Sequence, residues 1–269
     1  MARRERGTVI NADASQLYAD LPILSAQPSA ADMAAVPHRL YGGIDGAQAC
    51  NAAHWATLAR AQIDTALADG RLPIVTGGSG LYLRTLLDGI AEVPPIDAEV
   101  RAAVRALGPE AAYAALLRED PGGAARLAPA DRQRTMRALE VVRSTGRPLA
   151  HWQAAATGGI GAAMAVHGII VDRPRGELHA RIEARFAAMM DAGALTEVER
   201  LLARGLDPAL PVMKALGVPP LIAVLTGTMT LAEAVAAACA DTRRYAKRQQ
   251  TWFRNQTPEW ERVESMRQE

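Results

Sequence analysis

Apolar positions along this chain recur with two different periods, and the switches between them mark out the elements. Thr8 to Asn11 is a short β-branched run followed by polar Asp13, which predicts a strand. From Ala47 to Asp69 the apolar residues Trp55, Ala59, Ile63 and Ala66/Leu67 fall every three or four positions. That spacing predicts an amphipathic helix, and Gly70 stands where a helix-ending glycine belongs. Leu72 to Val75 reads as a buried strand, Thr76-Gly77-Gly78-Ser79-Gly80 as a turn, and Leu81 to Leu87 as a helix. Pro94-Pro95 then punctuates the chain.

Between Asp97 and about Thr157 only helical patterns follow one another. Asp97, Gly108-Pro109, Asp120-Pro121 and Ala130-Asp131 are helix starts, and Gly146-Arg147-Pro148 is a stop. After the break at Gly158 to Gly161, the run His167 to Asp172 returns to strand character. Helices are predicted again over Glu177 to Gly193, Leu195 to Gly205, a short piece near Met213, and Leu231 to Arg254. Strands alternating with helices imply an α/β fold with a largely parallel sheet, interrupted by an all-helical stretch. The boundaries are drawn as 1–94 and 163–269 for the α/β core with C-terminal helices, and 95–162 for the helical insertion. No internal repeat is present.

Composition narrows the function classes. In 269 residues, 49% are hydrophobic, 22% charged, and the net charge is +1, so a disordered or supercharged chain is excluded. Nowhere do 18 apolar residues run together, and the basic start Met1 to Gly7 lacks the apolar stretch of a secretory signal. Cys50 and Cys239 stand alone without metal-ligand spacing, which points to a reducing cytoplasm and no membrane. Among the 30 basic residues only Lys214 and Lys247 are lysine, a bias of the kind that genome composition produces.

Five places could carry chemistry. Asp13 falls beyond the carboxyl end of a strand, where α/β sheets bind ligands, and could be a general base or could simply cap the next turn. The Gly77 to Gly80 turn could let a ligand approach the backbone, or be glycine-rich for steric reasons alone. Arg132, Gln133, Arg134 and Arg137 crowd one helix above Met136, Leu139 and Val142; their alternative is a solvated face. Arg243, Arg244, Lys247, Arg248 and Arg254 interleave with Tyr245, Trp252 and Phe253, a mixture that suits nucleic acid unless the aromatics are core. Arg181 and Arg185 sit four apart on the helix after the last strand, able to reach a phosphate or to pair with Glu183 or Asp191.

Five blocks occur in the order seen in bacterial tRNA dimethylallyltransferases, which the chain resembles from Val9 to about Asn255. They are Ile10-Asn11-Ala12-Asp13 with Gln16 and Tyr18; Val36-Pro37-His38-Arg39-Leu40; Gly77-Gly78-Ser79-Gly80-Leu81-Tyr82; Gln133 to Glu140; and Tyr245-Ala246-Lys247-Arg248-Gln249. The resemblance implies a P-loop-type parallel sheet core with a helical insertion. It implies prenyl transfer from dimethylallyl diphosphate to the exocyclic amine of the adenosine 3′-adjacent to the tRNA anticodon, with Mg²⁺ beside the diphosphate. Carried over by motif, Asp13 is the base. Asp13, Ala14, Ser15, Gln16, Ser79, Arg101, Gln133, Arg134, Thr135, Met136 and Arg137 contact the anticodon stem-loop, and Arg185 contacts the diphosphate. A monomer is expected.

Ser79 stands where the family usually has threonine, and Ala14-Ser15 where it usually has Ser-Met; both are modest changes. A larger departure is that the family's first strand and GxxxxGK(S/T) loop have no counterpart before Thr8, and no lysine precedes Lys214. The explanations weighed are a start codon set too far downstream, which is preferred, a truncated remnant, or a partner chain supplying the loop. The expectation is a chain inactive or nearly so as written. Rival functions are a non-catalytic tRNA-binding remnant and an enzyme that prenylates free adenylate.

Overall fold

The computed structural model describes residues 1–264, so the last five positions of the expected core range lie outside the described residues. The chain divides into two compact units, Met1–Thr85 with Met164–Glu269, and Leu86–Ala163. No helix among the described residues is long and apolar enough to cross a membrane.

In the larger unit, strand β1 (Gly7–Asn11) is followed by α1 (Ala30–Ala35), β2 (His38–Arg39), α2 (Ala52–Ala68), β3 (Leu72–Thr76) and α3 (Gly80–Asp88). The sheet order is β2-β1-β3, all parallel, with Ile10 opposite Arg39 on one side and Val75 on the other. β1 is buried because it lies in the middle under α2, whose Trp55, Ala59, Ile63 and Ala66 face inward. Leu67, expected on that face, is instead 49% exposed; the inward stripe runs through Ala66 and turns Leu67 to solvent. The helix also begins five residues later than its apolar spacing suggests. Asn51 sets the start, its side-chain oxygen accepting from the His54 N–H at 2.9 Å.

The smaller unit begins at Leu86 in the last turn of α3 and continues with β4 (Gly89–Ile90), α4 (Ala98–Ala106), α5 (Pro109–Glu119), α6 (Pro121–Ala124), α7 (Arg132–Thr145), α8 (Leu149–Gln153) and β5 (Thr157–Gly158). Its four main helix starts fall at the expected caps, and Gly146 closes α7 with φ +68°. The core gathers Val104, Ala115, Leu116, Ala124, Ala138 and Leu139, with Met136 and Val142 packed against its edge. β4 and β5 form an antiparallel ribbon of two residues each, too short to leave a sequence pattern.

The larger unit resumes with β6 (Ile169–Asp172), α9 (Arg175–Asp191), α10 (Ala194–Ala203), α11 (Val218–Leu225), α12 (Leu231–Gln256) and β7 (Glu261–Glu264). β6 pairs in parallel with β7, a strand not expected because three of its four residues are charged. Among the described residues, β3 and β6 are each paired along one edge only. Cys50 and Cys239 are both free and buried.

Candidate active site

The site starts from Asn11, fully buried at the end of β1. Its amide grips the backbone of Asp13 from both sides: Oδ1 accepts from the Asp13 N–H at 2.8 Å, and Nδ2 donates to the Asp13 carbonyl at 2.9 Å. The same Nδ2 donates to the Leu40 carbonyl at 2.9 Å. Trp55 Nε1 donates to the Asn11 carbonyl at 2.8 Å, so the largest side chain of α2 anchors the same turn. The Asn-Ala-Asp sequence is thus a backbone device that aims one carboxylate.

Asp13 also caps, as the plainer reading of the sequence held. Its Oδ1 accepts from the Ser15 N–H at 2.8 Å, opening the 3₁₀ turn Ser15–Leu17. Burial pushes its carboxyl above the usual carboxylate range, opposed by the Ser15 and Gln16 amides and by the Arg185 guanidinium. Capping and a raised carboxyl coexist in one residue. Nearby, burial and then the Asp13 charge push the Tyr41 hydroxyl up to about 12.

Asp13 and Arg185 share a small cavity of about 100 Å³. Ser15, Gln16, Leu21, Leu24, Ser25, Ile182, Phe186, Met189, Ala215, Leu216 and Thr242 complete its lining. Gln16 turns its amide inward, Nε2 donating to the carbonyls of Ser25 and Ala26 at 2.9 and 2.8 Å. Ala26 and Leu40 both hold φ near +60° without being glycine, at +55° and +63°. Each has its carbonyl bound by an amide of the Asp13 block, so left-handed backbone on both flanking loops is retained by Asn11 and Gln16.

Ser79 joins this region, its Oγ accepting from the Ala14 N–H at 3.1 Å. The glycines around it answer the steric reading. A Cβ on Gly77 would strike the Ala12 backbone, one on Gly78 the Gln249 amide, and one on Gly80 the Trp252 ring. Gln249 Nε2 donates to the Gly78 carbonyl at 3.0 Å, and the Tyr245 hydroxyl, pushed up by burial, lies beside Ser79 and Gln249. Tyr245, Gln249 and Trp252 stand at i, i+4 and i+7 on α12, so one face of that helix lies over the turn. Of the basic residues around them on α12, Arg243 pairs with Glu183 at 2.8 Å and Arg244 pairs with Asp241. Arg248 sits over the Tyr245 ring, 5.5 Å from its centroid. Lys247 and Arg254 are exposed.

The remaining expected residues belong to the smaller unit. Arg101 is exposed on α4. On α7, Gln133 and Arg134 face solvent, and the Asp131 side chain both caps the helix and lies 3.5 Å from the Arg134 Nε. Arg137 and Arg105 flank Glu140 at 3.9 and 3.5 Å. Two expected RNA contacts turn inward. Thr135 is 0% exposed and buries its Oγ1 without a partner, so its side chain is closed off from solvent. Met136 is partly buried against the apolar cluster under α7. Both lie on the inner stripe of the helix, where burial follows from spacing.

Sequence reasoning missed Tyr245 and Gln249 as partners of the turn, and it missed Glu197. This glutamate is 6% exposed and accepts from the Ile23 and Leu24 N–H groups at 2.7 and 2.8 Å. Its signal was available: position 197 falls between Ala194, Val198 and Leu201 on the buried stripe of α10. Among the described residues no three His, Cys, Asp or Glu side chains gather as a metal cluster, and Asp13 is the one carboxylate lining the cavity. These residues do not by themselves build a magnesium cage.

The family model described as IPP transferase matches residues 16–256. A protein of Sphingopyxis alaskensis named tRNA dimethylallyltransferase is 59% identical over 97% of this chain and 86% of its own length. One of Novosphingobium aromaticivorans with the same name is 54% identical over 98% of this chain and 94% of its own. Among solved structures, a full-length tRNA isopentenylpyrophosphate transferase from Bacillus halodurans is 30% identical. It matches 98% of this chain and 83% of its own with a TM-score of 0.69.

Proposed function

The chain belongs to the IPP transferase family, and from that premise we propose that it transfers a dimethylallyl group from dimethylallyl diphosphate to the exocyclic amine of the adenosine 3′-adjacent to the anticodon of tRNA. The observation that carries this reading is Asp13, a carboxylate raised by burial, lining one cavity with the cationic Arg185. The amine nitrogen bonds to the allylic carbon as the bond from that carbon to the diphosphate oxygen breaks. The diphosphate leaves with the electron pair, and the proton shed by nitrogen passes to an Asp13 carboxylate oxygen. A raised carboxyl is a better match for that proton than an ordinary one. Arg185 offsets charge on the departing diphosphate.

The base reaches the pocket only by leaving the anticodon loop, which costs a few kcal/mol of stacking that RNA contacts offset. Gln133, Arg134 and Arg101 supply exposed polar and cationic side chains for that purpose, and Arg137 a half-buried one. Magnesium would be brought by the diphosphate rather than caged by these residues, and would offset charge on the leaving group. The reading includes a monomer as the functional unit, working in the cytoplasm where tRNA is found.

The test incubates the protein with an anticodon stem-loop and dimethylallyl diphosphate and follows the RNA by mass spectrometry. The expected result, in a protein that carries the family's GxxxxGK(S/T) loop, is a gain of one five-carbon unit on the adenosine beside the anticodon. Such a protein, folded and binding the stem-loop but converting none of it, would replace this reading with that of a tRNA-binding protein without turnover.

A further inference from the structure

The cavity beside Asp13 has a charged end and an apolar end, and α9 supplies both from one face. Ile182, Arg185, Phe186 and Met189 stand at i, i+3, i+4 and i+7. Met189 therefore lies about 6 Å further along the helix axis than Arg185. Opposite this face, Leu21 and Leu24 close the wall, and both are buried. Apart from Ser15 and the charged pair, the polar side chains that line the same space have their donors committed elsewhere. Gln16 donates to the Ser25 and Ala26 carbonyls, Ser25 Oγ to Leu21 at 2.5 Å, and Thr242 Oγ1 to Ala238 at 2.8 Å. An adenine placed there would find few free partners for its ring edge, whereas a hydrocarbon chain needs none.

The wall is also unable to retreat. Gly217, at φ +86°, lies so close behind it that a Cβ there would come within 3.0 Å of Leu24 and 3.2 Å of Phe186. The free space is about 100 Å³. An apolar cavity of about 150 Å³ is what admits benzene, so a space of this size sets an upper limit near a branched five-carbon chain. A ten-carbon chain would require the wall to move, and overpacking a close-packed interior is unfavourable.

We propose that Phe186 and Met189 are specificity-determining residues that form the floor of the prenyl pocket and limit the donor to a single isoprene unit. This rests on the reading of the chain as a prenyltransferase and adds to it the residues that measure the chain. Arg185 holds the diphosphate end, and Met189, one turn further along, meets the chain's far end. Met189 is unbranched and buried, so truncating it opens the pocket lengthwise with the least disturbance.

The experiment compares dimethylallyl and geranyl diphosphates as donors, and titrates their S-thiolodiphosphate analogues, which do not react, against the intact chain. Inorganic diphosphate is the control for the charged end. The wild type is expected to bind the five-carbon analogue at least tenfold more tightly than the ten-carbon one. Met189→Ala should reduce that ratio at least tenfold by gaining affinity for the longer chain, and leave inorganic diphosphate unchanged. Phe186→Leu, with its melting temperature checked, should shift the ratio in the same direction. An unchanged ratio in both folded variants overturns the proposal, as does a wild type that binds the two chains equally. Five-carbon RNA product formed alongside an unchanged ratio defeats the pocket assignment alone. No product from either donor and no binding of either analogue defeats the prenyltransferase reading and the pocket together.

Discussion

Around Asp13 the polar side chains turn inward. Asn11, Gln16 and Ser79 bind backbone groups of their own unit, and the carboxylate they aim lines a cavity walled by leucine, isoleucine, phenylalanine and methionine. On α7 the arrangement is reversed. The apolar stripe and Thr135 are buried, while Gln133 and Arg134 project into solvent and Arg137 leans on Glu140. The first region suits chemistry on a small reactant, because groups fixed before binding cost nothing to organise at the moment of reaction. The second suits a polyanion, because exposed cations contribute through screened, long-range attraction and need no fixed geometry.

The sharpest test of this contrast is Asp13→Asn. It keeps the size of the side chain and an oxygen to accept from Ser15 but cannot take up a proton. Turnover should fall by about 10² to 10⁴ while stem-loop binding stays near wild type, read by single-turnover kinetics and a binding titration. If Asp13 were only a cap, stability would drop by about 1 kcal/mol and turnover per folded molecule would hold.

Next in size come the glycines under α12. Gly77→Ala should be the most damaging, since backbone blocks its Cβ, then Gly80→Ala against the Trp252 ring. Gly78→Ala should be mildest, because the Gln249 side chain can move aside. Overpacking typically costs about 1–3 kcal/mol, and denaturant melts give the order. An equal effect at all three would mean the turn is not clamped from both sides.

On α7, Arg134→Ala with Arg137→Ala should weaken stem-loop binding and flatten its salt dependence by about one unit of slope per lost phosphate contact, leaving diphosphate affinity unchanged. Unchanged affinity and slope would make this a solvated face after all.

A pH series separates the two regions by a smaller effect. The folded-state carboxyl of Asp13 is raised, so its contribution to stability is fully present below the unfolded pKa and is lost as pH rises through the folded value. Asp13→Asn removes that dependence. The melting temperature of the variant should therefore gain on wild type from acidic to neutral pH. Glu197 is raised by burial as well, against the Ile23 and Leu24 amides, and contributes with the same sign in both proteins. The smallest change belongs to Thr135→Val. It removes a buried hydroxyl without a partner, and should be neutral or stabilising by up to about 1 kcal/mol with stem-loop binding intact.

The sequence by itself determined the alternation of strand and helix, the caps at Asp97, Asp120 and Asp131, and the placement of Asp13 at the end of a strand. Each of these follows from neighbours within a few positions, so local pattern suffices. Motif order added the family. Tertiary structure alone decided which members of a block face outward: Arg134 and Thr135 are adjacent, yet one is solvated and the other fully buried, because α7 packs on α4 and α5. It also decided why Gly78 and Gly80 are glycine, a question answered by residues 171 and 172 positions away on α12, and why Gly77 is, answered by the Ala12 backbone. The cavity belongs to the same class. Leu21, Phe186, Leu216 and Thr242 carry no joint signal along the chain, since cavities form from residues distant in sequence and only packing brings their side chains to one space.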